Sequence, residues 1–215
     1  MSRSQIVVAG LAAPLVALVL LWLGLGRSSA TAARDADLFA FDHIMGSPKA
    51  PVVLVEYAAP SCPHCARFNA EVFPKLKRRY IDTGKVRYVL RVYPISPVDG
   101  AVEGIANCLP ADNYFAFIDL LFRNQKQWDP EYGVMDVHGA LVSLGVGAGL
   151  SAEKVDRCIA DKATADRINL IAQDGVTKYN IRSTPTLVIN GAVQPAGFVP
   201  WPTLQAVLKN LLSRS

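Results

Sequence analysis

Two cysteines separated by two residues, in Cys62-Pro63-His64-Cys65, are the side chains of this sequence best suited to chemistry. Cysteines at this spacing can close into a disulfide and open again, and the thiolate is the form that attacks a disulfide. Three features favour a thiolate at Cys62. They are its position at a helix amino terminus, the neighbouring His64, and Pro63, whose missing N–H costs nothing in a first helical turn. Cys65 is then expected to be the less exposed, resolving thiol.

The pKa of Cys62 would decide the direction of the chemistry. Each pKa unit below the ambient pH stabilises the reduced pair by about 1.4 kcal/mol, or about 30 mV for a two-electron couple. Three such units correspond to roughly 90 mV. Because His64 lies between the cysteines, the sequence favours a disulfide donor over a reductase.

The flanking sequence predicts the elements that position this pair. A β-branched run at residues 52–57 is typical of a strand buried on both faces, and residues 66–80 predict a helix. A second strand at 86–92 would lie parallel to the first. Strand, helix and strand then form one right-handed crossover, with Cys62 where the first strand passes into the helix.

The remainder of the chain predicts a helical insertion and a late hairpin. From Ser96-Pro97, a helix start, the pattern stays helical over about 97–180, and Ser151 is a candidate helix cap. A short apolar strand at 186–189 ends in Asn190-Gly191, which predicts a tight hairpin. Residues 201–212 predict a final helix.

Glu56 is a carboxylate in the middle of the apolar run at 52–57. Burying it charged would cost several kcal/mol, so it should be protonated, paired, or directed at an edge. A strand-end acid paired with a lysine is the alternative.

The amino-terminal segment predicts export. Arg3 and Arg27 bracket residues 4–26, which carry no charge, and this length favours a membrane anchor. Residues 30–32, Ala-Thr-Ala, favour a cleaved signal peptide instead. We expect residues 1–32 to be one or the other. The domain at 33–215 would then be periplasmic or otherwise extracytoplasmic, free or anchored in the inner membrane by residues 4–26.

Composition excludes some classes of protein. With 215 residues, 51% of them apolar, the chain can bury one sizeable core and is not disordered. Its one dense basic run, residues 75–79, is typical of a solvated helix face, so we expect no nucleic-acid partner.

The order of elements, taken with five local motifs, resembles a DsbA-type thiol oxidoreductase over roughly residues 42–212. The resemblance implies an α/β thioredoxin fold with a helical insertion. The motifs are Glu56 six residues before Cys62, the whole of Cys62-Pro63-His64-Cys65, Asn107-Cys108, Asn-Gln-Lys-Gln-Trp at 124–128, and Ser-Thr-Pro-Thr at 183–186.

This resemblance assigns further roles. Pro185 would follow a cis peptide bond beside the cysteines, with the backbone of Thr184 pairing with an extended substrate, and Glu56 would exchange protons with Cys65. Threonine at 184, in place of the valine of the best-studied strong oxidases, is typical of isomerase-like relatives. The resemblance also implies protein substrates with thiols or disulfides, a membrane redox partner that resets the cysteines, and no dissociable cofactor.

Cys108 and Cys158 remain once Cys62 and Cys65 are assigned to each other. A structural disulfide is our prediction. Two buried free thiols, or a redox relay to Cys62, are the alternatives.

Two rival functions use other features. A metal site combining Cys62 and Cys65 with His43, His64 or His138 is weakly supported, because structural zinc sites usually present two Cys-x-x-Cys pairs. We therefore expect no metal, and we expect His43 and His138 to be solvated. A chaperone or binding module that kept the fold without catalysis is the stronger rival. We predict an exported disulfide donor, with an isomerase or reductase as the alternative.

Overall fold

A five-stranded sheet, in the order β1-β3-β2-β4-β5, forms the centre of the computed structural model, which describes residues 38–214. β2 pairs parallel with β3 and antiparallel with β4, and the two outer pairs are antiparallel. With a neighbour on each side, β2 is buried at all seven of its residues, as its β-branched run predicted. The strands are β1 (His43–Met45), β2 (Val52–Ala58), β3 (Val86–Val92), β4 (Thr186–Ile189) and β5 (Ala192–Val193).

The crossover from β2 to β3 is helical, but it is not the single helix predicted at 66–80. It consists of α1 (Pro63–Glu71), α2 (Phe73–Leu76) and a π-helical turn at Lys77–Ile81. The break at Val72 precedes Pro74, which has no N–H to continue an α-helical ladder and lies in the first turn of α2 instead. The predicted start was three residues late, because Pro63 opens α1.

Six α-helices fill the segment between β3 and β4. Ser151 caps α7 by accepting a hydrogen bond from the N–H of Lys154 at 3.3 Å, as predicted. The short helix α5 was not predicted separately. The six are α3 (Pro97–Cys108), α4 (Tyr114–Arg123), α5 (Gln125–Trp128), α6 (Val137–Gly147), α7 (Ala152–Ile159) and α8 (Lys162–Tyr179).

The hairpin at Asn190-Gly191 forms as predicted. Both residues have positive φ, 48° and 80°, as a two-residue hairpin turn of this kind requires. The Asn190 side chain also accepts a hydrogen bond from the N–H of Val53 at 2.8 Å, which fastens the end of β4 to β2. The final helix is α9 (Trp201–Leu212).

One face of β2 packs against α1. Val52 and Leu54 belong to the same core cluster as Cys65 and Phe68 of α1. Because side chains alternate along a strand, Glu56 shares the face of Leu54 and lies on the α1 side of the sheet. This arrangement is the thioredoxin-like fold with a helical insertion that the resemblance implied.

Within residues 38–214, no helix is long and apolar enough to cross a bilayer. The predicted signal or anchor at residues 1–32 lies outside that range.

Candidate active site

Cys62 caps the amino terminus of α1, where the chain leaves the end of β2. Its backbone is extended, with φ −72° and ψ 120°, and Pro63 occupies the first helical turn. The Cys62 side chain is only 4% exposed, whereas Pro63 and His64 are exposed. A molecule that approaches this end of the sheet therefore contacts Pro63 and His64 first, and it can reach only the small exposed part of Cys62.

The pKa of the Cys62 thiol is lowered from 9.0 to about 6. A hydrogen bond with Cys65 makes the largest contribution, and burial opposes it. A side-chain hydrogen bond with Thr184 and hydrogen bonds from the backbone N–H groups of Cys65 and His64 lower the pKa further. Donors in the first turn of a helix favour an anion in this way, so at neutral pH Cys62 is mostly a thiolate.

Cys65, one turn into α1, has the opposite character. It is fully buried, and burial is the main cause of a pKa raised well above that of an ordinary thiol. The hydrogen bond with Cys62 and the negative charges of Cys62 and Glu56 raise the pKa further. Both cysteines are free in this structure, so the site holds one thiolate at its rim and one protonated thiol in the core.

Glu56 is buried near this pair, with 2% of its surface exposed. Burial raises its pKa from 4.5 to about 8, and the negative charge of Cys62 raises it too, while a 2.8 Å hydrogen bond from the Tyr88 hydroxyl has the opposite effect. Glu56 is therefore protonated at neutral pH. The alternative of a strand-end acid paired with a lysine is wrong, because Tyr88 is the partner that the side chain contacts.

Thr184 and Pro185 close the other side of the cysteine pair. The bond between them is cis, and the Thr184 carbonyl oxygen lies 3.4 Å from Sγ of Cys62. Both residues are buried, and β4 begins at the next residue. The structure thus brings residue 184 against the sulfur, as the resemblance implied.

Three side chains of this region had no role in the sequence-based prediction. The Tyr88 hydroxyl donates to the Glu56 carboxyl group. Gln125 donates from Nε2 to the carbonyl oxygens of Pro60 and Cys62, and the buried carboxylate of Asp99 accepts hydrogen bonds from the backbone and hydroxyl of Ser61. The motif at 124–128 contains Gln125. Asp99 could have been recognised as a capping acid three residues after Ser96.

A cleft of about 370 Å³ opens beside the cysteine motif. Ile95, which is 55% exposed, contributes an apolar surface to it. The lining residues are Ser61, Pro63, Ile95, Ser96, Glu131 and Tyr132.

Cys108 and Cys158 are joined by a disulfide that links the end of α3 to α7. The S–S distance is 1.97 Å and the Cα atoms are 6.0 Å apart. The two helices approach closely here, because a Cβ added at Gly104 would collide with the carbonyl oxygen of Cys158.

Removing this disulfide is expected to destabilise the fold. The double variant Cys108→Ala/Cys158→Ala opens a loop with a sequence separation of 50 residues. In the chain-entropy model, closing a loop of this size contributes roughly 4 kcal/mol. Urea unfolding of the oxidised parent and the double variant measures the difference, and equal free energies of unfolding would contradict the prediction.

The two other histidines make contacts of their own. His43 is half-buried, stacks on Tyr114 and hydrogen-bonds to Asn107 at 2.7 Å, so our prediction of a solvated side chain was wrong. His138 is exposed, as predicted, and its Nε2 lies 2.8 Å from Asp156. In the part of the chain that the structure describes, no group of three or more His, Cys, Asp or Glu side chains is arranged to hold a metal ion.

Comparison with protein families matches residues 40–210 to a family described as thioredoxin. A Rickettsia prowazekii protein that carries the name protein-disulfide oxidoreductase is 33% identical over 155 residues, which are 70% of this chain and 54% of that protein. The disulfide bond formation protein D of Bacillus subtilis is 26% identical, over 70% of this chain and 68% of its own length. The chain thus spans little more than half the length of the rickettsial relatives.

Solved structures show the same likeness. The crystal structure of Wolbachia pipientis alpha-DsbA1 matches with a TM-score of 0.75 and 28% identity, covering 82% of this chain and 94% of that one. A structure described as a protein-disulfide isomerase from Novosphingobium aromaticivorans matches with a TM-score of 0.69 and 27% identity, covering 79% and 97%.

Proposed function

Because this chain belongs to the thioredoxin family and is a DsbA-type protein, we propose that it is an exported thiol–disulfide oxidoreductase that donates disulfides to other proteins. The names of its relatives support thiol–disulfide exchange as the reaction. The observation that carries the proposal is the contrast within the cysteine pair. Cys62 has a pKa of about 6, whereas the pKa of the buried Cys65 is raised well above its usual value.

In the proposed reaction the protein starts with a Cys62–Cys65 disulfide. A substrate thiolate attacks Sγ of Cys62, the bond to Cys65 breaks, and a mixed disulfide joins the substrate to Cys62. A second substrate thiolate then attacks the substrate sulfur of that bond, and Cys62 leaves as a thiolate. The substrate loses two electrons and gains a disulfide, and the protein ends as a dithiol. A leaving thiol of low pKa departs faster, which suits Cys62 to the last step.

Glu56 supplies the proton that this series of reaction steps requires. Cys65 leaves the first step as a thiolate in an apolar environment, where its raised pKa favours protonation. The pKa of about 8 keeps Glu56 protonated at neutral pH, and the side chain is near enough to Cys65 for its ionised form to raise the Cys65 pKa. Transfer of the Glu56 proton to Cys65, directly or through a water molecule, moves the negative charge from the sulfur to the carboxylate. The transfer is favourable because Glu56 has the lower pKa of the two, and Glu56 then regains a proton from solvent.

Thr184 and His64 complete the proposed site. The carbonyl oxygen of Thr184 already lies 3.4 Å from the sulfur of Cys62, so an extended substrate strand pairing with residue 184 would bring its own cysteine to that sulfur. The exposed His64 tunes the nucleophile, and Pro185 shapes the surface on which the substrate lies.

The remaining parts of the proposal come from the sequence. We assign the redox domain to residues 33–215 and its helical insertion to about 97–180, with residues 1–32 as the export signal or anchor. A membrane redox partner must reoxidise the dithiol after each turnover, because the site itself accepts only two electrons.

An isomerase of the same fold is the second candidate. Threonine precedes Pro185, and one matching structure is described as a protein-disulfide isomerase. An isomerase would need the same Cys62 thiolate, but it would be kept reduced rather than oxidised.

The reduction potential of the cysteine pair tests the direction of the reaction. A Cys62 pKa of about 6 lies about one unit below pH 7, which favours the reduced form by about 1.4 kcal/mol, or about 30 mV. We therefore expect a potential at least about 30 mV above the value of about −270 mV for thioredoxin, that is about −240 mV or higher, measured in glutathione buffers by alkylating free thiols of the full chain. A value of about −270 mV, that of thioredoxin, would contradict a disulfide donor.

A further inference from the structure

The segment Pro60–Cys62, which carries the nucleophile from β2 into α1, is held by few contacts of its own. The N–H of Cys62 donates to the carbonyl oxygen of Ala59 at 3.0 Å, and the Cys62 carbonyl accepts the N–H of Ala66 at 3.0 Å. The carbonyl of Pro60 and the N–H of Ser61 are bound by side chains instead.

Gln125 of the short helix α5 provides one of these side chains. Its amide nitrogen donates to the Pro60 carbonyl at 2.7 Å and to the Cys62 carbonyl at 3.1 Å, and its amide oxygen lies 3.4 Å from the Tyr132 hydroxyl. The residue is 6% exposed. One side chain thus fixes both ends of the tripeptide that carries the nucleophile.

Asp99 of α3 provides the other. One carboxylate oxygen accepts the N–H of Ser61 at 2.8 Å, and the second accepts its hydroxyl at 3.0 Å. The second oxygen also accepts the N–H groups of Ile95 and Ser96, at 3.0 and 2.9 Å. The carboxylate is fully buried, so these four bonds take the place of water around it.

We propose that Gln125 and Asp99 form a clamp, supplied by the helical insertion, that positions the Cys62 sulfur at the amino terminus of α1. This inference rests on the proposed function, because it takes Cys62 to be the nucleophile. Neither side chain touches the reacting sulfur, so both are positioning residues. The thiolate depends on N–H groups at fixed places, and hydrogen bonds weaken steeply when their geometry is lost.

The variant Gln125→Leu tests the first arm, because it keeps the bulk of the side chain and removes both hydrogen bonds. In the reduced protein, thiolate absorbance at 240 nm as a function of pH gives the pKa of Cys62. We expect this pKa to rise by about one unit, which leaves about tenfold less thiolate at pH values well below 6. Gln127→Ala, in the same helix but exposed, should behave as the parent does.

Ser61→Ala tests the second arm, because it removes the bond from the hydroxyl to Asp99 and leaves the backbone in place. We expect a smaller rise of the Cys62 pKa than for Gln125→Leu. This mild substitution also keeps the clamp testable if Gln125→Leu does not fold. A Cys62 pKa equal to that of the parent in Ser61→Ala would overturn a role for the hydroxyl bond between Ser61 and Asp99, which is the part of the clamp that this variant removes.

Thermal unfolding of the oxidised proteins separates positioning from stability. If Gln125→Leu lowers the melting temperature but leaves the Cys62 pKa unchanged, Gln125 is only structural and the clamp is refuted. If the parent itself shows an ordinary thiol pKa near 9.0, the proposed function fails instead, and the two failures are distinguishable.

Discussion

Cys65→Ser is expected to accumulate a mixed disulfide between Cys62 and substrate proteins, and Cys62→Ser is expected to form none. Cys62 lies at the rim of the site with a pKa of about 6, whereas Cys65 is fully buried with a raised pKa. Of the two sulfurs, Cys62 is therefore the one that we expect a substrate to reach and attack. Without Cys65 no internal thiol resolves the mixed bond, which persists until a second external thiol reaches it.

Non-reducing electrophoresis and mass spectrometry of the purified adducts measure both outcomes. The adduct should vanish on reduction and map to Cys62. Exchange with a model peptide should fall to the uncatalysed rate in Cys62→Ser. If Cys62→Ser formed adducts through Cys65 as readily, the assignment of nucleophile and resolving thiol would be reversed. If both variants kept full function in cells, the protein would be a binding module rather than an oxidoreductase.

Glu56→Gln is expected to make the protein more stable and less active. The folded-state pKa of Glu56 is about 8, against 4.5 for an ordinary glutamic acid. Below pH 4.5 both the folded and the unfolded chain carry the proton, so Glu56 imposes no penalty. Between the two values only the folded chain keeps it, so stability falls as the pH rises and the full penalty is present above pH 8.

The shift corresponds to about 3–5 kcal/mol, which the Glu56→Gln variant would recover at high pH because its amide is neutral throughout. Urea unfolding at several pH values tests this, with the exposed Glu71→Gln as the matched control. The rate of disulfide transfer should fall by about a hundredfold, the lower end of what a general acid contributes. If the difference in stability between the variant and the parent stayed constant from pH 5 to pH 8, Glu56 would already be ionised in the folded protein across that range, which would contradict the prediction.

Local sequence patterns were enough to predict the framework of the site. The strand, the Cys62–Cys65 motif and the helix after it are contiguous, and the Asn190-Gly191 turn requires only two residues. The contacts that hold the segment around Cys62 are different in kind. Asp99 and Gln125 are 38 and 63 residues from the positions they bind, so their roles emerge only when the insertion packs against the sheet.

The burial of His43 also could not be predicted from local sequence. Its local sequence, beside Asp42 and before a turn that contains glycine and proline, is that of a solvated residue. The structure stacks it on Tyr114 of α4, in a segment far along the chain. Burial of this kind depends on which helix covers the strand, and no local pattern records it.

The clamp on Cys62 gives the helical insertion an evolutionary consequence. Substitutions in α3 or α5 would alter the chemistry of a motif to which they are not adjacent in sequence. Evolution could therefore change the redox potential of the cysteine pair without changing Cys62-Pro63-His64-Cys65. The choice between making and rearranging disulfides would change with that potential. Two homologues with identical motifs need not be interchangeable enzymes, and their divergence should be sought in the insertion.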